Sequence, residues 1–312
     1  MSWLLLATLG QFLNAVVAIL DKFIVSDQKA LPRPFVYAFY SCLMTGFWVF
    51  IFLLAYIPGL HKLGVPSFSD VRSPSIVVVG MAFLAAYTFF MALVSMYEAL
   101  KNKDASDVLP AIGAVSAIAS FGMSYLFLNI PLAPHFIYGV LLLTLGTFLL
   151  SHVRIGADRN ILLHLFHSGL FFGLHYIAMK GLFLETSFAD GFFWSRIAFV
   201  LFALSLLLVP LYFDKIVAQT KVTSRKTGAL VVLTKITAGI AGFMLLKATD
   251  IGNVTVVQSL DGLKFVFIIM LGLLFGRLIP HTAGENDFDF KTVIRKTFYI
   301  AIISVGFVIL FI

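Results

Sequence analysis

The sequence predicts an all-α, polytopic membrane protein. Three observations carry this reading. Of 312 residues, 61% are hydrophobic and only 12% are charged, whereas soluble domains carry roughly 25% charged residues. The mean hydropathy is +1.02. The apolar residues also fall into runs of about twenty, the length a helix needs to cross a hydrocarbon core about 30 Å thick. This composition excludes an ordinary soluble enzyme, a disordered chain and a nucleic-acid binder. The one cysteine, Cys42, excludes a disulfide framework and a thiolate metal cluster.

Ten spans are expected. The first, residues 3–25, follows no basic leader and no small-residue cleavage site, so it reads as a retained helix rather than a signal peptide. The second, 36–57, starts after Pro32-Arg33-Pro34, which removes backbone donors and fixes φ. The third and fourth, 76–100 and 108–128, flank the polar Lys101–Asp107 stretch. Pro131 and Pro134 separate the fourth from the fifth, 135–152. Arg154, Asp158 and Arg159 are too polar for lipid and precede the sixth, 162–184. The seventh is 191–212, and Arg225-Lys226 stands between it and the eighth, 228–246. The ninth is 254–276. Residues 281–290, with Glu285, Asp287 and Asp289, read as a solvated loop before the tenth, 293–312. No loop is long enough for a soluble domain.

The formal net charge of +7 reflects orientation rather than a polyanionic partner. Loops after odd-numbered spans carry fourteen Lys and Arg, the opposite loops three (Lys62, Arg72, Lys247), and five lie within spans. The positive-inside rule then puts the fourteen in the cytoplasm and both termini outside. A shift of 146 residues also aligns the chain with itself. Leu100-Lys101, Asp104 and Val108 fall on Leu246-Lys247, Asp250 and Val254. Two units follow, 1–153 and 154–312, of five spans each. An odd number of spans inverts the second unit, a construction common in secondary transporters.

Two segments carry a resemblance to a known family. The first runs from Ala99-Leu100-Lys101 through Ala105-Ser106 and Val108 to Tyr125-Leu126-Phe127-Leu128. The second is Gly139 with Gly146 in the fifth span, and weaker echoes recur at Leu246-Lys247, Asp250 and Gly306. On these the chain resembles the drug/metabolite transporter superfamily, EamA type. The resemblance implies two inverted five-helix repeats that move small solutes, without a cofactor. There are departures. Asn129 and Gly276-Arg277 stand where the family often has an acidic-basic pair, and Tyr299 replaces the first glycine of the tenth span. Many ten-span members of the family are expected to hold both termini in the cytosol, which conflicts with the charge distribution. The triose-phosphate branch has an adjacent Lys-Arg pair late in its ninth span; none occurs here, so that substrate does not carry over.

Charged side chains at mid-bilayer cost several kcal/mol, so those present should face a cavity or a partner. Gln258, Asp261 and Lys264 lie three residues apart in the ninth span and share a helix face, and Gly262 leaves room beside them. They could line a substrate cavity or form a structural ion pair. Their repeat equivalents, Val115 and Ile118, are apolar. His175 and Tyr176 lie near mid-depth in the sixth span, where His175 could relay a proton or bond a carbonyl. Arg196, opening the seventh span, could hold a carboxylate or phosphate, or sit at the interface. Lys235 lies too deep in the eighth for easy snorkelling. Asp21, Lys22 and Lys180 are read as reaching for the interface, although Asn14, one to two turns before Asp21, could extend a polar face. Glu98, ending the third span, could carry protons or sit among headgroups.

The function expected is a secondary transporter working by alternating access. Its substrate-binding residues would be Asp261, Lys264, Gln258, Lys235, Arg196, His175 and Tyr176. Asp261, Glu98 and His175 are the candidate proton carriers. Within spans, five cations face three acids, which favours an anionic or amino-acid-like solute. No metal or cofactor and no nucleic acid is implied. The partners are a small-molecule solute, the lipid bilayer and, in one arrangement, a second copy of the chain. The expected location is the plasma or inner membrane. Other readings stay open: a flippase for lipid-linked sugar or lipid phosphate, an intramembrane lipid-modifying enzyme, or a non-transporting scaffold.

Overall fold

The computed structural model describes residues 3–26, 31, 33–57, 65–103, 105–129, 137–142, 144–146, 149 and 159–275. Towards the end of the chain it describes 294, 295, 298, 299, 301, 302, 305, 306 and 309. All regular structure among the described residues is helical. The order is α1 (Trp3–Ser26), α2 (Pro34–Phe47) continued by a 3-10 stretch (Trp48–Tyr56), α3 (Ile76–Asn102), α4 (Ala105–Leu128) and α5 (Ile137–Gly146). Then come α6 (Arg159–Glu185), α7 (Phe188–Leu206), α8 (Pro210–Val222), α9 (Arg225–Ile251), α10 (Val254–Ser259) and α11 (Asp261–Phe275). Seven segments are long and apolar enough to cross a membrane: α1, α2 with its 3-10 extension, α3, α4, α6, α7 and α9. They correspond to the first four expected spans and the sixth to eighth. The protein is an integral, multi-pass helical membrane protein. Most of the tenth expected span and the loop at 281–290 lie outside the described residues.

Local chemistry sets the helix ends. Pro34 opens α2, where its missing N–H would have had no partner. Ser75, Ser187 and Ser224 cap α3, α7 and α9, each side chain accepting a backbone N–H from the first turn. α4 ends at Asn129, which takes a left-handed φ of 51°. Asn tolerates that conformation better than most residues and is a common helix stop. The segment before α3 is fastened to α7 through Arg72. Its N–H donates to Asp190 at 2.5 Å, and its carbonyl accepts from Trp194 Nε1 at 2.9 Å.

Two expected spans differ in detail. The seventh is expected to reach residue 212, but α7 ends at Leu206. Pro210 starts a separate helix, α8, because proline drives the preceding Val209 out of helical geometry (φ −91°, ψ 113°). The Lys215 and Lys221 region, expected as loop, is therefore helical. The ninth span is two helices rather than one. It breaks at Leu260, where Leu263 N–H bonds Leu260 O at 2.9 Å in a tighter turn.

Packing is most extensive between α3 and α6, α4 and α6, and α1 and α9. α2 packs on α7, α1 on α11, and α4 on both α10 and α11. Small residues permit the closest approach, as expected where lipid offers no hydrophobic drive between helices. A Cβ on Gly169 of α6 would lie 2.8 Å from Ile112 O of α4, and one on Gly173 would lie 3.1 Å from Ser116 O.

Candidate functional site

Eight helices converge on a cavity of about 160 Å³. α1 contributes Asn14 and Asp21, α2 Ser41 and Thr45, α3 Phe89 and Tyr97, and α4 Leu109 and Ile112. α6 contributes His175 and Tyr176, α7 Arg196 and Phe199, α9 Lys235 and Gly239, and α11 Lys264. The wall is mostly apolar, and its polar groups are charged or aromatic apart from Asn14, Ser41 and Thr45.

The best-defined group is an ion pair. Lys235 Nζ lies 2.8 Å from Asp21 Oδ1, and both side chains are only 5–6% exposed. Tyr37 OH also donates to Asp21 Oδ1. Tyr97 OH donates to Asp21 Oδ2 at 3.2 Å and accepts from Lys235 at 3.0 Å. Ser41 Oγ adds a bond to Tyr97 OH at 3.1 Å. The ammonium lies 4.2 Å from the centre of the Tyr37 ring, a cation–π distance. Burying a charge is costly unless it is paired and hydrogen-bonded, and here both ions are.

Two further lysines are buried and capped. Lys22 Nζ donates to Leu100 O at 2.6 Å and Lys103 O at 2.7 Å, at the end of α3. Lys180 donates to Asp250 O at 2.7 Å and Gly252 O at 3.3 Å, at the end of α9. Both meet the negative end of a helix dipole. The expectation that Asp21, Lys22 and Lys180 snorkel to an interface is corrected: each is buried and each bonds another helix.

Arg196 is 4% exposed and lines the cavity. α7 starts at Phe188, so Arg196 lies more than two turns inside the helix rather than at its opening. Its guanidinium carbon sits 4.7 Å from the centres of both the Phe192 and Phe199 rings. Its hydrogen bonds are long and go to neutral groups: Ser195 Oγ at 3.4 Å and Thr45 O at 3.5 Å. Among the described residues no carboxylate pairs with it.

His175 is buried, with Nδ1 2.9 Å from Ala85 O. A carbonyl only accepts, so Nδ1 carries the proton and the neutral ring leaves Nε2 as an acceptor. Phe89, Tyr176 and Phe199 pack around the ring. Lys264 lines the cavity in the first turn of α11. Asp261 shares that turn, but Gln258 lies beyond the break in α10, so the single helix face expected for the three is interrupted. The side chains of Gln258 and Asp261 lie outside the described residues. Glu98 is half-buried and does not line the cavity. No cluster of metal-ligating residues occurs among those described.

No protein-family model and no curated protein matches this chain. Its fold is similar to a solved structure described only as "Crystal structure of protein". The TM-score is 0.59 and the identity 17%, over 96% of this chain and 97% of the other. At that identity the likeness is one of fold alone.

The site thus joins residues far apart in the sequence. Lys235, Arg196, His175, Tyr176 and Lys264 line one cavity. Asp21, Tyr37 and Tyr97 complete the site, and sequence reasoning misses all three. A signal for Asp21 exists: Asn14 precedes it by two helical turns on the same face, and both line the cavity.

Proposed function

We propose that this chain is a secondary transporter of the drug/metabolite transporter superfamily, EamA type, that moves a compact anionic or amino-acid-like solute by alternating access. The observation that carries the proposal is Arg196: buried, facing a cavity, and with no described carboxylate partner. A guanidinium is always charged and fits a carboxylate or phosphate in a bidentate pair. A solute oxyanion is the missing counter-charge. Lys264 lines the same cavity, and Lys235 stands there paired with Asp21.

The packing pattern supports two inverted five-helix repeats. If α1 to α5 correspond to α6, α7, α9, α10–α11 and the tenth span, the α3–α6 contact exchanges with α9–α1. The α4–α6 contact exchanges with α11–α1 in the same way, while α2–α7 and the α4 contacts with α10 and α11 map onto themselves. Lys22 capping α3 exchanges with Lys180 capping α9. A cavity between such repeats is where transporters of this construction bind solute. A scaffold would bury its charges against other helices and leave no cavity beside them.

The test is a thermal-shift screen of detergent-purified protein against anionic, zwitterionic and neutral metabolites, followed by uptake into proteoliposomes. A bound solute raises apparent stability by about 2.7 kcal/mol at a hundredfold excess over its dissociation constant. Stabilisation by anionic solutes, lost in Arg196→Gln, is expected. Stabilisation by neutral solutes alone would remove the argument from Arg196. Failure of every stabilising solute to cross the membrane would remove transport.

A further inference from the structure

We infer that the Asp21–Lys235 pair is an exchange site that couples one proton to one solute anion. This rests on the transport reading above. The structural basis is a buried, hydrogen-bonded ion pair on the cavity wall. Asp21 is the one described carboxylate lining the cavity, and it is held by the one described ion pair there. Its partner Lys235 comes from α9, which packs along α1. An anion that reaches Lys235 must compete with Asp21. Displacing a buried carboxylate without neutralising it would leave an uncompensated charge, which costs several kcal/mol. A proton removes that obstacle.

The step balances. A proton from the aqueous phase bonds to an Asp21 carboxyl oxygen. Lys235 stays an ammonium and takes the solute anion in place of the carboxylate. Before the step the site holds one negative and one positive charge; afterwards it holds neutral Asp21, the ammonium and the anion. The buried net charge is unchanged. The surrounding hydroxyls suit both states. Tyr97 already bonds Asp21 and Lys235 together, and Ser41 backs it. A protonated Asp21 still offers an oxygen to Tyr37 and Tyr97.

The other groups around Asp21 are accounted for. Tyr37 faces it from α2, Tyr97 from α3 and Lys235 from α9. His175, Arg196 and Lys264 stand on the same cavity from α6, α7 and α11, and α4 contributes the apolar Leu109 and Ile112. Lys22, next on the same helix, is engaged by the end of α3. Arg196 holds a standing positive charge, so it attracts the anion without supplying a proton. His175 could titrate, which makes Asp21→Asn the discriminating variant.

The probes are benzoate and dimethyl phosphate, both monoanions across the range used, which separate a carboxylate ligand from a phosphate one. Binding to the purified full-length chain is measured between about pH 5 and pH 8, with proton uptake read by a dye in weak buffer. The same anions are then offered to proteoliposomes containing a pH dye. One anion is expected to bind more tightly as pH falls, by up to about tenfold per pH unit where one proton accompanies it. Its entry should acidify the lumen. Asp21→Asn should bind that anion equally at all pH values and move it without protons. If that variant does not fold, the wild-type profile and the charge-neutral Asp21→Asn, Lys235→Met pair still decide, because the pair should take up no proton and bind the anion more weakly, with no pH slope. A flat wild-type profile, or a pH slope that survives Asp21→Asn, overturns the exchange site. Anion flux without lumen acidification overturns it but leaves the transporter. Proton-linked binding without flux leaves the exchange site but overturns transport. Failure of both anions to bind at any pH overturns both.

Discussion

Asp21 Oδ1 and Lys235 Nζ meet at 2.8 Å, although 214 residues separate them in the chain. They tie α1 to α9, one of the most extensive helix contacts in the bundle. Such a pair is not kept for stability alone. Replacing a buried ion pair with apolar residues is often neutral or stabilising, whereas removing one partner is costly. Asp21→Ala should therefore destabilise the folded protein by about 3–5 kcal/mol, because it strands the Lys235 ammonium. Combining Asp21→Asn with Lys235→Met should recover most of that loss. Unfolding curves in mixed micelles would measure both. If the double variant were as unstable as the single one, the cost would lie in packing rather than in charge.

Lys22 and Lys180 should matter to a lesser degree, and locally. Each donates to helix-end carbonyls, buried at Leu100 and partly buried at Lys103, Asp250 and Gly252. Lys22→Met should cost about 1–3 kcal/mol, the range for leaving a buried acceptor unsatisfied, and Lys180→Met less, because its acceptors are only partly buried. Hydrogen exchange should quicken at Lys103 N–H in the first variant and at Gly252 N–H in the second, since those amides close the affected helix ends. Uniform loosening of the whole bundle would instead mean that the lysines hold helices together rather than cap them.

The helices were legible in the sequence because hydropathy, proline and clustered charge act locally. Seven apolar runs near twenty residues became spans, with ends mostly within a few residues of those expected. What failed was also physical. Pro210 ends α7 early, yet the apolar residues beyond it made the run look continuous. The break at Leu260 has no proline to announce it. Depth along a span places a charged residue relative to lipid, but it cannot see the neighbouring helix. Lys180 looked able to reach an interface, but α9 ends beside it and offers carbonyls. Lys235 was legible as a cavity residue because it sits where snorkelling is hard, whereas Arg196 was left between cavity and interface because α7 starts earlier than the hydropathy run suggests. Tyr37 and Tyr97 were not legible, because a tyrosine in an apolar span is as readily packing as binding.

Gly239 on α9 should be intolerant of any side chain. A Cβ there would fall 1.5 Å from Trp48 Nε1, well inside contact distance. Gly242, one turn on and also lining the cavity, is different: a Cβ there would meet nothing within 4 Å. Gly239→Ala should shift Trp48 or α9 and cost about 1–3 kcal/mol, typical of overpacking. Gly242→Ala should leave stability unchanged or raise it by about 0.4–1 kcal/mol through the unfolded chain. Thermal unfolding of the two variants side by side checks this. Equal behaviour would mean that the Trp48 indole does not occupy the space beside α9.

Arg196 provides the sharpest chemical test, because its role depends on geometry as well as charge. The guanidinium lies 4.7 Å from two ring centres, which fits a flat, weakly hydrated cation. Arg196→Lys keeps the charge but loses the planar fork and its stacking. It should therefore weaken binding of a carboxylate or phosphate by about tenfold or more, the share of a bidentate, charge-assisted contact. Arg196→Gln should abolish that binding. Both variants should fold, since no described carboxylate is left behind unpaired, and the neutral glutamine would relieve the protein of a buried charge. Titration calorimetry with the anions that stabilise the wild type would rank the three proteins. Full affinity in the lysine variant would reduce Arg196 to a point charge in the cavity wall. Full affinity in the glutamine variant would move the anion away from α7 altogether, to Lys235 or Lys264.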